Sequence, residues 1–216
     1  LFICGLSGQY AKQRIEINEA KRVAERSNSA LAVEMGKVQE INAELEKALT
    51  RIEELAVRDE LTGLYNRRYL MDALEREKTR ADRSGRLFSV VMLDVDHFKH
   101  INDSFGHQQG DVVLKAVSKA VQDAIRSNDF CARYGGEEFL VVLEELPVSG
   151  AKACTERLRK SIEALQFPEL GAGLQVTISL GYTQYRQSEP LAQTIARADA
   201  ALYRAKHSGR NRVEFD

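Results

Sequence analysis

The spacing of apolar side chains changes character near residue 58. From about Ile15 to Leu55 they recur in a heptad frame. The a positions Ile17, Ala24, Leu31, Val38, Leu45 and Ile52 are all apolar, whereas the d positions Ala20, Ser27, Glu34, Ile41, Ala48 and Leu55 are mixed. The segment has no proline and a single glycine, Gly36. Apolar a positions sustained over consecutive heptads predict a long helix in a coiled coil, most simply a parallel dimer. A single solvated helix packed on the following domain is the alternative. Ser27 and Glu34 weaken the seam, a defect that a stable zipper avoids and a signalling stalk can use.

After Leu55, helical and strand patterns alternate. Asn66 to Ser84 is amphipathic, with Leu70, Ala73, Leu74 and Lys78 at helical spacing. Leu87–Val95 is a short apolar, β-branched run, the mark of a buried strand. Gly110–Arg126 carries the helical stripe Val113, Leu114, Val117, Val121 and Ile125. Phe130–Tyr134 and Phe139–Leu143 are strand-like and joined by Gly135-Gly136-Glu137-Glu138, which predicts a β-hairpin. Ser149–Leu165 predicts a helix, Leu174–Thr183 a strand, Leu191–His207 a helix and Arg212–Phe215 a last edge strand. The order β-α-β-β-α-β, with extra helices, predicts a ferredoxin-like, palm-type α+β domain over residues 59–216, with an antiparallel central sheet flanked by helices. A helical stalk over residues 1–58 precedes it.

Composition narrows the function classes. Of 216 residues, 44% are hydrophobic and 29% charged, as in a soluble, core-forming protein. Lys and Arg number 31 against 32 Asp and Glu, a net charge of −1, so the basic excess that nucleic-acid binding needs is missing. Cys4, Cys131 and Cys154 form no CxxC pair, which argues against a disulfide framework or a zinc site and fits the cytoplasm. The start Leu1-Phe2-Ile3-Cys4-Gly5-Leu6, with Lys12, Arg14, Lys21 and Arg22 behind it, has two readings. Residues 1–8 are either the juxtamembrane end of an inner-membrane helix or an ordinary apolar helix start. A first residue other than Met reads as a portion of a longer protein, with a sensor or membrane domain upstream.

Three constellations carry chemistry. Asp94 ends the central strand, well placed to hold a cation at the sheet's edge. Glu137 and Glu138 put two negative charges at the hairpin tip, costly unless a cation or base chemistry uses them. If both hairpin strands flank the central strand, these three carboxylates converge, and such hard oxygen ligands suit Mg²⁺ and phosphates. Third, Phe98-Lys99-His100-Ile101-Asn102-Asp103 is followed by Gly106-His107-Gln108-Gln109-Gly110-Asp111. Lys99 can neutralise a phosphate, and Asn102 with Asp111 matches the donor and acceptor edge of guanine. The structural alternative makes Asn102 a turn residue and Asp111 a helix N-cap.

Together these stretches resemble the GGDEF family, the bacterial diguanylate cyclases. The resemblance rests on the opening Asp59-Glu60-Leu61-Thr62-Gly63-Leu64-Tyr65-Asn66-Arg67-Arg68, then LDVDHFKHIND, FGHQQGD, RYGGEEF, and finally Asp199-Ala200-Ala201-Leu202-Tyr203-Arg204-Ala205-Lys206 with Gly209-Arg210-Asn211. It implies that two GTP molecules condense to cyclic di-GMP and two pyrophosphates across a homodimer, with the coiled coil bringing two half-sites together. Asp94, the carbonyl of Val95, Glu137 and Glu138 are implied as ligands for two Mg²⁺ per half-site, with Mn²⁺ as a substitute. Glu137 is implied as general base and Lys99 as transition-state stabiliser. Phe98, Lys99, Asn102, His107 and Asp111 would bind the nucleotide, and Lys206 and Arg210 its β- and γ-phosphates.

Arg126-Ser127-Asn128-Asp129 matches the family's RxxD product-inhibition site, with Arg157 as its second arginine. The bland reading is a solvated pair at a helix end. The rival from another class is a non-catalytic adaptor that binds GTP or c-di-GMP, against which Lys99, Glu137 and Glu138 argue. Asn102 and Asp111 disfavour an adenylate cyclase, and a purely structural coiled coil leaves the second half unexplained.

Overall fold

The computed structural model describes residues 2–168 and 174–216; the side chains of residues 1–13, 15, 20, 23, 24, 30, 32, 33, 49 and 51–56 lie outside the described set. The chain divides into two compact units, Leu1–Glu54 and Leu55–Asp216.

Helix α1 runs over Phe2–Val57, as the proline-free heptad segment predicts. Ile17, Leu31, Met35, Val38, Ile41 and Leu45 are each more than half exposed. The seam positions Ala20, Ala24, Ile52 and Leu55, and the side chains behind the juxtamembrane reading of residues 1–8, lie outside the described residues. Among the described residues, no helix is long and apolar enough to cross a membrane.

The second unit is built on a central strand, β1 (Phe88–Val95), every residue of which is buried. Side chains alternate across a strand, so a strand covered on both faces reads as a continuous apolar run. Val91, Leu93 and Val95 join one core with α3 (Phe98–Phe105), α4 (His107–Ala124) and α5 (Val148–Glu163). Phe88, Val90 and Met92 join the other with α2 (Arg67–Ser84) and α6 (Leu191–His207). The remaining strands are β2 (Phe130–Gly135), β3 (Glu138–Glu144), β4 (Ile178–Gln184) and β5 (Val213–Phe215), in the sheet order β2-β3-β1-β4-β5. This is the ferredoxin-like arrangement, with an extra strand at one edge.

Four details differ from the sequence expectation. Of the two hairpin strands only β3 abuts β1, and β2 is the outer edge. The last pairing, β4 with β5, is parallel, so the sheet is mixed; β5 returns after the crossover helix α6, a connection that yields parallel neighbours. Strand β4 begins at Ile178 rather than Leu174. Helix α4 begins at His107, not Gly110, with Gly106 (φ 84°) as its N-cap, so Asp111 lies in the second turn and is no N-cap. The polar His107-Gln108-Gln109 turn had no apolar stripe to announce it. Gly181 of β4 completes the frame: a Cβ there would sit 2.0 Å from the Leu202 backbone nitrogen. The missing side chain lets α6 lie directly on β4 and brings its C-terminal end to the tip of β1.

Candidate active site

Asp94 is the penultimate residue of β1, 6% exposed, and lies directly opposite Glu138 in the β1–β3 register. Lys206, from the last turn of α6, places its Nζ 2.8 Å from Asp94 Oδ2. Burial pushes the Asp94 carboxyl up to about 6; Lys206 pulls it down, and the charges of Glu137 and Glu138 push it further up. The site therefore holds more negative charge than its one ammonium balances.

The hairpin turn carrying the glutamates is tied from both sides. The Val95 N–H donates to the Glu137 carbonyl at 3.3 Å. Arg133 of β2 grips the Gly136 carbonyl through Nε at 3.0 Å and Nη2 at 2.8 Å. Its Nη1 bonds Asp59 Oδ1 at 3.2 Å. Burial raises the Asp59 carboxyl, but the two Thr62 hydrogen bonds and Arg133 outweigh it and hold the group below its usual range. Arg133 is a functional residue that sequence reasoning misses. It stands within the RYGGEEF stretch, yet an arginine in a strand carries no local mark of the turn it braces.

Helix α3 begins just beyond Asp96 and His97. No side chain caps its start, and its first N–H groups lack helical acceptors, the condition in which a helix start can take an anion. Phe98 is 7% exposed, and its ring belongs to the core. Lys99 is exposed on the same turn. Asn102 lies against Gly110 of α4: a Cβ on Gly110 would stand 2.0 Å from Asn102 Oδ1 and 3.1 Å from the Phe98 ring. Asp111, the next residue of α4, is exposed, as is His107 at the start of that helix. Arg210 is exposed in the turn after α6. Asp96, two residues past Asp94, is not exposed toward this site; it is 5% exposed and bonded to Thr177, Ser179 and the Asn211 backbone.

Arg126, Asp129 and Arg157 gather at the far end of α4. Asp129 is 7% exposed and both its oxygens are taken: Oδ2 by the Arg126 N–H and Oδ1 by the Glu144 N–H, each at 3.0 Å. Arg157 donates to the Ala124 carbonyl at 2.7 and 3.2 Å, closing the end of α4. These contacts give the Asp129 carboxylate a part in shaping the loop, and each oxygen keeps a further lone pair. Beside it lies a cavity of about 290 Å³ lined by Tyr69, Arg76, Arg80, Asn128 and Glu144, among others.

The donor set fits a divalent cation. Carboxylates and carbonyls are hard oxygen ligands, and the buried Asp94 already faces a cation in Lys206. Among the described residues, no three ligating side chains converge into a cage. Mg²⁺ suits such a site, since it is commonly held by one or two carboxylates with substrate phosphates and waters completing its shell.

An acidic strand end, a glutamate-bearing hairpin opposite it and a basic helix end together define a palm-type α+β domain. The family model for the diguanylate cyclase GGDEF domain matches residues 56–212, and the chain belongs to that family. It is 45% identical over 159 residues to the diguanylate cyclase DgcP of Pseudomonas aeruginosa, covering 74% of this chain and 24% of that protein. It is 41% identical over 158 residues to the Escherichia coli diguanylate cyclase DosC, covering 73% and 34%. The chain thus spans a quarter to a third of the length of these curated relatives. Among solved structures, the coiled coil and GGDEF domain of DgcB from Caulobacter crescentus, in complex with c-di-GMP, is similar with a TM-score of 0.79 and 31% identity, over 86% of this chain and 99% of that one. The diguanylate cyclase SiaD of P. aeruginosa, in complex with its activator SiaC, is similar with a TM-score of 0.72 and 38% identity, over 98% and 80%.

Proposed function

We propose that this chain is a diguanylate cyclase: two half-sites, each holding one GTP, face one another in a homodimer and produce c-di-GMP. The observation that carries the reading is the meeting at the tip of β1 of Asp94, Lys206 of α6 and Glu138 of the GGEEF signature. In each half-reaction the 3′-oxygen of one GTP bonds to the α-phosphorus of the other, the bond to pyrophosphate breaks, and the 3′-OH proton leaves to Glu137. Mg²⁺, two per half-site and held by Asp94, the Val95 carbonyl, Glu137 and Glu138, supplies when bound the electrostatic stabilisation of charge on the α-phosphate.

This chain's own residues do the rest. Lys99 and the first amides of α3 meet the developing phosphate charge. Lys206 and Arg210 hold the β- and γ-phosphates, Lys206 exchanging its Asp94 partner for them. The Asn102 amide donates and the Asp111 carboxylate accepts along the guanine edge, with His107 beside them. Arg133 and Asp59 keep the GGEE turn from opening.

Helix α1 has an exposed apolar row, and its pairing with a second copy as a coiled coil raises the local concentration of the second domain to roughly millimolar. Control falls to Arg126, Asp129 and Arg157, which with the neighbouring cavity accommodate c-di-GMP as an inhibitor. The reaction belongs in the cytoplasm with GTP, and a sensor domain upstream fits the short share of its relatives that the chain spans.

Purified chain incubated with GTP and Mg²⁺ tests the proposal. Production of c-di-GMP with two pyrophosphates per product is expected. Nucleotide binding without product would leave the adaptor reading instead.

A further inference from the structure

The turn that presents Arg210 has an unusual backbone. Gly209, Arg210 and Asn211 have φ values of 112°, 61° and 45°, three left-handed residues in succession. Two of them carry side chains, and such conformations persist only where the surroundings over-determine them.

Here the surroundings are polar and come from three directions. The Arg210 N–H donates to the Ala205 carbonyl at the end of α6, at 3.0 Å. The Asn211 N–H donates to Asp96 Oδ2 at 3.1 Å, and Asp96 is fixed in turn by the Thr177 and Ser179 hydroxyls, both at 2.7 Å. From the opposite side α5 takes the Asn211 side chain. Arg159 donates to its Oδ1 at 2.8 Å, and its amide donates to Glu163 Oε1 at 2.7 Å. Arg159 is only 14% exposed and is held at 3.0 Å by both Glu156 and Glu163. The Asn211 hydrogen bond is also the chief cause holding the Glu163 carboxyl below its usual range, ahead of Arg159. All this order converges on a turn whose other feature is an exposed arginine shortly after Lys206.

We infer that Asn211 is a positioning residue for the triphosphate: clamped between Asp96 at the end of β1 and the Arg159–Glu163 pair of α5, it fixes the direction in which Arg210 leaves the turn. The inference rests on the reading of this site as a GTP site. An asparagine serves where glycine would tolerate the same φ, because only its amide can accept from Arg159 and donate to Glu163 together. The clamp acts on the far phosphates alone; the guanine and α-phosphate contacts belong to α3, α4 and the hairpin.

The test compares two ligands that cannot react, 3′-deoxy-GTP and 3′-deoxy-GMP, binding to the full 216-residue chain in Mg²⁺. Asn211→Ala and Arg159→Met should each weaken 3′-deoxy-GTP by about tenfold, the equivalent of one hydrogen bond's net worth, and leave 3′-deoxy-GMP within about twofold. Asn211→Gly keeps the left-handed turn free of side-chain conflict and should show the same selective loss, so a folding defect cannot imitate the result. Equal losses for both ligands, or undiminished 3′-deoxy-GTP binding in all three variants, would overturn the inference while leaving the GTP site standing. A wild-type chain that binds neither ligand overturns the GTP reading, and the clamp's role with it.

Discussion

Two buried aspartates, at opposite ends of the same domain, serve opposite purposes. Asp94 and Asp129 are 6% and 7% exposed. Each oxygen of Asp129 accepts a backbone N–H, from Arg126 and from Glu144, so the carboxylate stitches the loop after α4 to the end of β3. Asp94 has one ammonium partner and two glutamates nearby, and burial with their repulsion lifts its carboxyl to about 6. A satisfied carboxylate stabilises the fold; one kept ionised against its surroundings is costly to the fold and has its use in a ligand. Sequence motif alone ranks the two alike, since both sit in family signatures.

The comparison breaks most visibly at Asp94. Asp94→Asn should lower the initial rate of product formation at least a hundredfold, roughly 3 kcal/mol, through loss of a cation ligand. Its melting temperature should not fall, because a neutral amide relieves the cost of the buried charge; a variant that melts well below wild type would make Asp94 a structural residue like Asp129.

Asp129→Ala should do the reverse. Two buried N–H groups lose their acceptor, at a cost of about 2 kcal/mol, which lowers the melting temperature by roughly 4–8 °C. The rate at saturating GTP and 25 °C should stay near wild type. A stable Asp129→Ala chain would show that the carboxylate is not needed by the loop.

Gly110→Ala lies between the two behaviours. The new methyl would stand 2.0 Å from Asn102 Oδ1, an atom at the end of a side chain that can swing aside. The expected result is a rise in KM for GTP of about tenfold with a small change in stability, because a displaced amide leaves a guanine edge unpaired. An unchanged KM would remove Asn102 from base selection.

The smallest effect is at Asp59, which holds Arg133 and through it the hairpin turn. Its carboxyl titrates lower in the folded chain, so its stabilisation is present above the unfolded value near 3.8 and is lost as pH falls through the lower, folded value. Asp59→Asn should cost below about 1 kcal/mol at pH 7. The gap to wild type should close on acidification below pH 4, as followed by denaturant melts at several pH values.

The parts of the fold legible in the sequence are those written in local pattern. The run Phe88–Val95 announces β1 because eight residues are too short for a buried helix and long enough for a strand covered on both faces. The Gly135-Gly136 pair between two apolar runs likewise marks a tight turn, and the hairpin follows. Direction leaves no such trace: three residues in Val213–Phe215 look the same parallel or antiparallel, and only the crossover through α6 decides. Helix α3 spans eight residues, too few for periodicity to separate it from a turn. In the candidate site, Asp94, Glu138 and Lys206 could be named from signatures and do lie together. Asp96 and Arg133 could not be given their roles, because their partners come from far along the chain: Thr177 is 81 residues from Asp96, and Asp59 is 74 from Arg133.

The central claim is that the Asp94 edge is half of an active site and works on a nucleotide held by a second copy. The rate of c-di-GMP formation per chain, measured with saturating GTP over a protein dilution series alongside the dimer fraction, tests it most directly. The account predicts a specific rate that falls with dilution in proportion to the dimer fraction and vanishes for the monomer. A rate per chain that stays constant after the protein has become fully monomeric would contradict it.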